Sequence, residues 1–153
     1  MPKAASGRVA LVSDTHGLLR PEVVRALKCV DRILHMGDVG TPEVLEGLRA
    51  IAPLHAVRGN VDHGSWAREL PRTHLIEVFG ADLLLLHNIA ELDLDPAAAG
   101  IAMVLYGHSH VPKEEERGGV RYVNPGSIGP RRFDLPISFA LLREDLSVEF
   151  VRL

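Results

Sequence analysis

Seven side chains that can bind a metal ion follow apolar runs at five separate points of the chain. They are two aspartates, one asparagine and four histidines, namely Asp14, His16, Asp38, Asn60, His87, His108 and His110. Carboxylate, amide and imidazole donors of this kind bind divalent transition metals. Two such ions held side by side activate water for hydrolysis, so the donor set predicts a hydrolytic centre with two metal ions.

Two pairs of these donors are separated by a single residue. In Asp14-Thr15-His16 and His108-Ser109-His110, extended backbone would send both side chains of a pair in the same direction. Each pair can therefore serve one ion or two neighbouring ions. Glycines that permit tight turns and close backbone approach stand beside the donors: Gly17, Gly37, Gly59 and Gly107.

The elements that must position these donors alternate between strands and helices in the first part of the chain. Apolar runs predict strands at Arg8–Val12, Arg32–Met36 and Leu54–Val57, and amphipathic stretches predict helices at Pro21–Cys29 and from Pro42 onward, after an N-cap at Thr41. This alternation favours a parallel sheet with right-handed crossovers.

The second part of the chain predicts hairpins, the first with its turn at Gly80-Ala81. The predicted strands are His74–Phe79, Asp82–His87, Ile101–Tyr106, Lys113–Arg117, Val120–Val123, Ile137–Arg143 and Ser147–Arg152. In open α/β sheets, ligands bind outside the carboxyl ends of the strands. The five strand endings that carry donors are therefore expected to converge on one crevice.

Length and composition exclude several classes of protein. The 153 residues predict one domain over residues 1–153 that needs no disulfide support. The only cysteine, Cys29, is predicted to be a buried small apolar residue, in a chain of the reducing cytoplasm. No apolar run reaches the roughly 20 residues of a membrane span, and Met1–Arg8 does not resemble a secretion signal. The net charge of -3 argues against general nucleic-acid binding.

The donor segments resemble, in order, the motifs of the calcineurin-like metallophosphoesterases. The segments are Asp14-Thr15-His16, Gly37-Asp38, Gly59-Asn60, His87 and Gly107-His108-Ser109-His110. Asn124-Pro125-Gly126-Ser127 further resembles the small single-domain prokaryotic phosphodiesterase branch of that superfamily. The resemblance implies an α/β fold of four αββα layers, in which two mixed β-sheets lie face to face and are flanked by helices.

The resemblance also implies a role for each donor. Asp14, His16 and His110 would hold one ion, Asn60, His87 and His108 would hold the other, and Asp38 would bridge the two. A bridging water or hydroxide would attack phosphorus, with Asp38 and Asn60 in the catalytic set. The expected ions are Mn²⁺ first, with Fe²⁺, Zn²⁺ or Ni²⁺ as alternatives.

One motif departs from the family pattern. Asn60 is followed by Val61, where many members carry a histidine that is commonly assigned to protonation of the leaving group. Valine cannot donate a proton, so esters with poor leaving groups are expected to react slowly. His63 is the nearest catalytic replacement, and an ordinary loop histidine is the alternative interpretation.

Further residues have both a functional and an ordinary interpretation. Arg58 and Arg131 border predicted site loops and can bind phosphate, as Arg132 also can, or they can simply face solvent. Asn88 can contact a substrate oxygen or stabilise a turn. The turn Asn124–Ser127 either supports the histidine loops or only ends one strand before the next.

Three histidines and one charge run receive structural interpretations. His35, His55 and His74 lie in or beside strands and are expected to be hydrogen-bonded core histidines, or supports for the donors, rather than ligands. The charged run Lys113–Arg117 is expected to form a solvated edge strand that resists pairing with other chains.

The leading hypothesis is a metal-dependent phosphodiesterase that acts on a small phosphodiester or nucleotide-like substrate. A protein-interaction scaffold on the same fold is one alternative, as in the retromer subunit that resembles these enzymes, but the complete donor set favours an enzyme. A phosphomonoesterase is the other alternative, and Val61 argues against it because a departing alkoxide needs more assistance. Exposed parts of the second sheet are a candidate homo-oligomer interface.

Overall fold

A computed structural model describes residues 6–153. Most of Met1–Arg8, the segment that was predicted not to be a secretion signal, therefore lies outside the described residues. The elements are β1 (Arg8–Val12), α1 (Pro21–Ala26), β2 (Arg32–His35), α2 (Pro42–Arg49), β3 (Leu54–Ala56), α3 (Ser65–Arg68), β4 (Thr73–Val78), β5 (Ala81–Leu86), a 3₁₀ turn (Ile89–Glu91), β6 (Met103–Leu105), β7 (Lys113–Arg117), β8 (Val120–Asn124), β9 (Ser138–Arg143) and β10 (Val148–Arg152).

The strands form two mixed sheets of five strands each. The first sheet has the order β10-β9-β1-β2-β3, and the second has the order β4-β5-β6-β8-β7. In the first sheet β1, β2 and β3 are parallel, while β9 runs antiparallel to both β1 and β10. In the second sheet β5, β6 and β8 are parallel, and antiparallel β4 and β7 form the two edges. The predicted pair of mixed sheets is confirmed.

Alternation along the strands divides the core into layers. In β1, Val12 packs toward the helices with Leu45 and Leu48 of α2, whereas Leu11 faces the second sheet and packs with Leu83. Successive side chains of a strand point to opposite faces, so a buried strand contributes side chains to the cores on both sides of its sheet. The two sheets therefore lie face to face, with α1 and α2 over the outer side of the first.

The outer layer over the second sheet is mostly irregular. Tyr106 and Tyr122 lie in a third cluster on this side, and partly buried Ile89 and Leu92 pack against it. These two covering residues come from the 3₁₀ turn and the residue after it. The expected fourth layer is thus present, but among the described residues a short 3₁₀ turn lies there where flanking helices were expected.

The predicted helix Pro21–Cys29 was three residues too long. It ends at Ala26, after which Lys28 N–H donates to the Arg25 carbonyl and Val30 N–H donates to the Leu27 carbonyl. These tighter turns leave Cys29 exposed. The prediction of a buried Cys29 was therefore wrong, because it assumed an α-helical position facing the first sheet.

Two smaller predictions also need correction. The hairpin turn between β4 and β5 comprises Phe79 and Gly80, since Val78 pairs with Ala81 and both turn residues have positive φ. That combination is a type I′ turn, one residue earlier than predicted. Thr41 does occupy the N-cap position of α2, but its side chain makes no capping hydrogen bond there.

The charged run behaves as predicted and forms the edge strand β7. The longest helix among the elements, α2, has eight residues. Within residues 6–153, no helix has both the length and the apolar composition that crossing a bilayer requires.

Candidate metal centre

Loops at the carboxyl ends of strands from both sheets carry the predicted donors. Asp14 follows β1, Asp38 follows β2, and His87 follows β5. The ligand atoms form two overlapping groups, and within each group they all lie within 4.8 Å of one another: Asp14 with His16 and His110, and Asp14 with Asp38 and His87. The structure thus brings five of the seven predicted donors into one cluster.

Asp14 Oδ1 lies close to both histidines of the first group. It is 3.4 Å from His110 Nε2 and 3.7 Å from His16 Nε2. All three atoms are buried and have no hydrogen-bond partner among the described residues. Burying an unpaired polar atom costs about 1–3 kcal/mol. A cation between these atoms would satisfy all three, so the residues present fit a metal ion.

Asp38 connects this group to the second one through a single oxygen. Its Oδ2 atom lies 3.6 Å from His16 Nε2 and 3.2 Å from His87 Nε2. The other carboxylate oxygen, Oδ1, accepts a hydrogen bond of 3.1 Å from the Val61 N–H. Asp38 therefore has one oxygen anchored to the backbone and one oxygen directed between two histidines.

Asn60 and His108 lie at the solvent side of the cluster. Both residues are exposed, and His108 Nδ1 is 3.3 Å from His87 Nε2. Asn60 and His87 line the same small cavity. The two remaining predicted donors thus lie beside the buried group, on the side of His87.

The backbone of the donor loops is left-handed rather than extended. In the described chain, eight non-glycine residues have positive φ, and five of them are predicted donors with φ between 45° and 74°: Asp14, His16, Asp38, His108 and His110. The expected extended spacing of the two donor pairs was wrong. Each such residue costs roughly 1–3 kcal/mol, so the surrounding fold must hold these loops in place.

Hydrogen bonds orient the side chains within the cluster. His87 Nδ1 lies 2.8 Å from the Met36 carbonyl oxygen, to which it donates, and this orients the ring with Nε2 toward the carboxylates. Asp14 Oδ2 accepts hydrogen bonds from Ser13 Oγ at 2.7 Å and from the His108 N–H at 3.1 Å. Ser13 was not among the residues predicted from the sequence, and its role depends on this contact with its neighbour.

The two carboxylates favour their ionised forms. Burial opposes ionisation of Asp14, but His110 and His16 outweigh burial and lower its pKa. For Asp38, burial again opposes ionisation, and His87 lowers the pKa. Burial lowers the pKa of His87, yet the contact with Asp38 raises it overall. The site therefore presents two adjacent negative charges that attract positive charge.

A comparison with known families identifies the chain. The domain model described as the calcineurin-like phosphoesterase superfamily domain matches residues 8–146. The chain belongs to this superfamily. The predicted resemblance is thereby confirmed over nearly the whole described chain.

Relatives in this superfamily match along most of their own length. A probable metallophosphoesterase from Methanothermobacter thermautotrophicus is 32% identical over 159 aligned residues, which cover 94% of this chain and 91% of the relative. Phosphodiesterase YfcE from Escherichia coli is 26% identical, with coverage of 91% and 89%. Vps29 from Entamoeba histolytica, solved in complex with Zn²⁺, gives a TM-score of 0.74 at 22% identity, with coverage of 95% and 98%. This last likeness shows the fold alone.

A buried carboxylate outside the predicted set joins two donor loops of this calcineurin-like chain. Asp62 Oδ2 accepts hydrogen bonds from the Gly59 N–H at 2.8 Å and the Val39 N–H at 3.2 Å, and Oδ1 accepts from the Gly40 N–H at 2.9 Å. Asp62 is thus fully engaged with backbone. Its position two residues after Asn60 was the available signal, but two of its three partners, Val39 and Gly40, are more than 20 residues away in sequence.

The turn Asn124–Ser127 supports the donor loops, which was one of its two interpretations. Asn124 Nδ2 donates to the Gly107 carbonyl and to Ser109 Oγ, both at 3.0 Å. Ser127 Oγ donates to the Asp14 carbonyl at 3.0 Å. One turn therefore holds the loops that carry Asp14, His108 and His110.

His35 is a buried histidine with both ring nitrogens hydrogen-bonded, as predicted. Its Nδ1 accepts from the Gly37 N–H at 3.0 Å, so Nε2 carries the proton and donates to Thr15 Oγ1 at 3.0 Å. Thr15 Oγ1 in turn donates to the Val39 carbonyl at 2.8 Å. Burial lowers the pKa of His35 to about 4, in agreement with a neutral ring. His35 thus braces two donor loops without binding an ion.

The other histidines predicted for the core are less buried than expected. His55 and His74 are half-buried, and their rings stack with centroids 5.6 Å apart. They belong to β3 and β4, the edge strands of the two sheets. The assignment to the core was therefore wrong, since both positions lie where the sheet edges meet solvent.

The candidate substrate residues differ in their distance from the centre. Arg58 and Asn88 line the same cavity as Asn60 and His87. Asn88 Oδ1 also accepts a hydrogen bond from the Ala90 N–H at 3.0 Å and so stabilises the 3₁₀ turn. Arg131 and His63 are exposed on loops outside this cavity lining. The structure thus groups Arg58 and Asn88 with the donors and leaves Arg131 and His63 apart.

Proposed function

We propose that this chain is a phosphodiesterase that uses two divalent metal ions. The observation that supports it most directly is the position of Asp38 Oδ2, which lies between His16 Nε2 at 3.6 Å and His87 Nε2 at 3.2 Å. A carboxylate shared in this way offsets repulsion between two neighbouring cations. The relatedness to phosphodiesterase YfcE supports the same reaction class.

The proposed ligand sets follow the sequence resemblance. Asp14, His16 and His110 would hold one ion, Asn60, His87 and His108 the other, with Asp38 between them. Mn²⁺ is the proposed ion, and Fe²⁺, Zn²⁺ and Ni²⁺ suit the same donors. When bound, such ions lower the pKa of water and neutralise charge on a phosphoryl group. The unpaired buried atoms Asp14 Oδ1, His16 Nε2 and His110 Nε2 support a cation on that side.

Residues beside the centre favour diesters with good leaving groups. The Val61 N–H holds Asp38, but the half-exposed Val61 side chain cannot supply a proton to a departing oxygen. His63, the proposed substitute donor, is exposed on the loop beyond Asp62. An activated aryl leaving group departs without protonation, so its diesters are the proposed laboratory substrates. A poor alkoxide leaving group would react more slowly.

Phosphate contacts are proposed for Arg58, Asn88 and Arg131. Arg58 and Asn88 share a cavity with His87, and a guanidinium matches the geometry of a phosphate oxygen pair. Arg131 is exposed on the loop that follows Ser127, whose hydroxyl donates to the Asp14 carbonyl at 3.0 Å. In this proposal Arg131 contacts a part of the substrate that extends toward solvent.

The proposal is tested with purified protein loaded with Mn²⁺ and bis(p-nitrophenyl) phosphate. Hydrolysis above the solvent background is expected, and Asp38→Ala is expected to remove it. Asp93→Ala is the matched control, because Asp93 is an exposed aspartate outside the cluster. Metal-loaded protein that hydrolyses no diester in a panel of aryl and nucleotide esters would contradict the proposal.

A protein-interaction scaffold on the same fold is the second candidate function. The fold likeness to Vps29 supports it. Metal content separates the two candidates, because fewer than one divalent ion per chain after purification with added metal would favour the scaffold. A phosphomonoesterase is separated by rates on matched aryl mono- and diesters, where the proposed enzyme is expected to prefer the diester.

A further inference from the structure

A small cavity beside the candidate metal centre contains two arginines. Its walls include Arg58, Asn60, Arg72, His87, Asn88 and Glu91. Asn60 and His87 are predicted metal donors, so a substrate held at the centre would lie next to this cavity. Arg72 was not among the candidate residues identified from the sequence.

The backbone brings the two arginines together. The Arg58 N–H donates to the Pro71 carbonyl oxygen at 2.8 Å, which joins the end of β3 to the segment that precedes β4. Arg72 is the next residue after Pro71 and is exposed. A hydrogen bond between backbone segments therefore places Arg58 and Arg72 beside the same cavity.

The positive charge of this pair is not used within the protein. Arg58 Nε is buried and has no hydrogen-bond partner among the described residues. Among residues 6–153, neither Arg58 nor Arg72 forms an ion pair, although Glu91 also lines the cavity. Two cations that line one cavity repel each other, and an anion bound in that cavity would offset the repulsion.

The positive charge at and beside the centre exceeds the negative charge that one phosphodiester would bring. With two divalent ions and the carboxylates Asp14 and Asp38, the centre would carry a charge of about +2, which already suits a phosphate. A diester contributes only one negative charge. The two arginines and Glu91 add a further net positive charge beside the centre. A second anionic group on the substrate accounts for this surplus.

We infer that Arg58 and Arg72 form a subsite for a second phosphate group of the substrate. The inference rests on the proposed phosphodiesterase function and narrows its substrate class to phosphodiesters that carry another phosphate. Arg72 would be a specificity residue that contacts the second phosphate directly. Asn88, at the same wall, has its Oδ1 engaged with Ala90 and would orient this side of the cavity.

Two matched diesters test the inference on the Mn²⁺-loaded protein. One is thymidine 5′-(p-nitrophenyl phosphate), and the other is the same compound with a 3′-phosphate, so the scissile bond and the leaving group are identical. The 3′-phosphorylated diester is expected to show a KM about tenfold lower in the wild type. Because a charged hydrogen bond typically strengthens binding by about tenfold or more, Arg72→Ala is expected to remove this advantage with little change in kcat.

Two further variants distinguish the charge of Arg72, the forked geometry of its guanidinium group and the general effect of removing a nearby arginine. Arg72→Lys keeps the charge but not the forked geometry, so an intermediate KM is expected for the 3′-phosphorylated diester. Arg68→Ala is the matched control, because Arg68 is also exposed, lies four residues earlier and does not line the cavity. It is expected to leave both KM values unchanged.

Two outcomes overturn the inference while leaving the phosphodiesterase proposal intact. The first is equal KM values for the two diesters in the wild type. The second is an equal rise of both KM values in Arg72→Ala, which would assign Arg72 to the scissile phosphate.

If neither diester is hydrolysed, the phosphodiesterase proposal is contradicted on this pair of substrates. Calorimetry with thymidine 3′,5′-bisphosphate and thymidine 5′-phosphate then tests whether the second-phosphate subsite exists. Tighter binding of the bisphosphate that Arg72→Ala abolishes supports the subsite, and equal binding overturns it.

Discussion

Asp62 Oδ1 accepts a hydrogen bond of 2.9 Å from the Gly40 N–H, and this contact ties the loop after β3 to the loop after β2. The other oxygen of Asp62 binds the N–H groups of Val39 and Gly59. Asp38 and Asn60 are each adjacent to one of these backbone partners. The relative position of two predicted donors therefore depends on a carboxylate that is not itself predicted to bind metal.

Asp62→Asn is expected to weaken both the fold and the metal site. The amide can accept through only one oxygen, so at least one buried N–H would face an NH₂ group. We expect the free energy of unfolding to fall by about 2 kcal/mol and the affinity for metal to fall by roughly 10–100-fold. Urea denaturation of the metal-free protein and calorimetric titration with Mn²⁺ measure the two effects. Asp93→Asn serves as an exposed control, and unchanged values for Asp62→Asn would contradict the role.

Metal stoichiometry distinguishes a shared ligand from a ligand of one ion. Asp38 Oδ2 lies near both His16 and His87, so Asp38→Asn is expected to reduce bound Mn²⁺ from two ions per chain to fewer than one. His16 belongs only to the first group, and His16→Ala is expected to retain about one ion. Elemental analysis after gel filtration provides the measurement. Two ions retained by the Asp38 variant would exclude the bridging position.

The strand ends and the motif order were sufficient to predict where the donors gather. Asp14, Asp38 and His87 each follow an apolar run, and parallel strands bring such ends to one edge of a sheet. The predicted and observed strand bounds agree within one or two residues, because buried apolar runs can be recognised from the local sequence. The same reasoning predicted His35 to be a hydrogen-bonded core histidine, and both of its ring nitrogens are hydrogen-bonded.

Features that depend on long-range contacts were not predictable. Asp62 and Arg72 acquire their surroundings from segments distant in sequence, or from a backbone bond such as Arg58 N–H to Pro71. The left-handed backbone at Asp14 was also missed, since this conformation is unusual for a residue other than glycine. Cys29 was misplaced because a helix end is set by local turns rather than by apolar periodicity.

Gly59 permits an approach between two loops that no side chain could allow. A Cβ atom at this position would overlap Asp38 Oδ1 and N, and it would lie 2.9 Å from Asp38 Cα. Gly59→Ala is therefore expected to displace Asp38 and abolish tight Mn²⁺ binding, as measured by calorimetry. Gly118→Ala is the control, because an added Cβ meets nothing within 4 Å there and only its φ of +57° is unfavourable, at a cost of about 1 kcal/mol. Normal metal binding by Gly59→Ala would show that the two loops can move apart without loss of Mn²⁺ affinity.

The neutral state of His35 predicts a loss of stability in mild acid. Its pKa falls from 6.5 to about 4, first because it is buried, and its Nδ1 already accepts the Gly37 N–H. Between pH 6.5 and 4 the unfolded chain binds a proton at this ring that the folded chain does not, so the free energy of unfolding falls as pH falls, by about 3 kcal/mol at pH 4. Above pH 6.5 the ring is neutral in both states and has no effect.

Urea denaturation of the metal-free protein across this pH range measures the effect, and comparison with His35→Gln isolates it. The comparison is needed because the raised pKa of His87 changes stability in the opposite direction over the same range. The difference between wild type and His35→Gln is expected to shift by about 3 kcal/mol against the wild type from pH 7 to pH 4. The exposed control His63→Gln is expected to follow the wild type. Parallel profiles for wild type and His35→Gln would mean that the folded chain accommodates a charged His35, and that the ring does not depend on the hydrogen bond from Gly37.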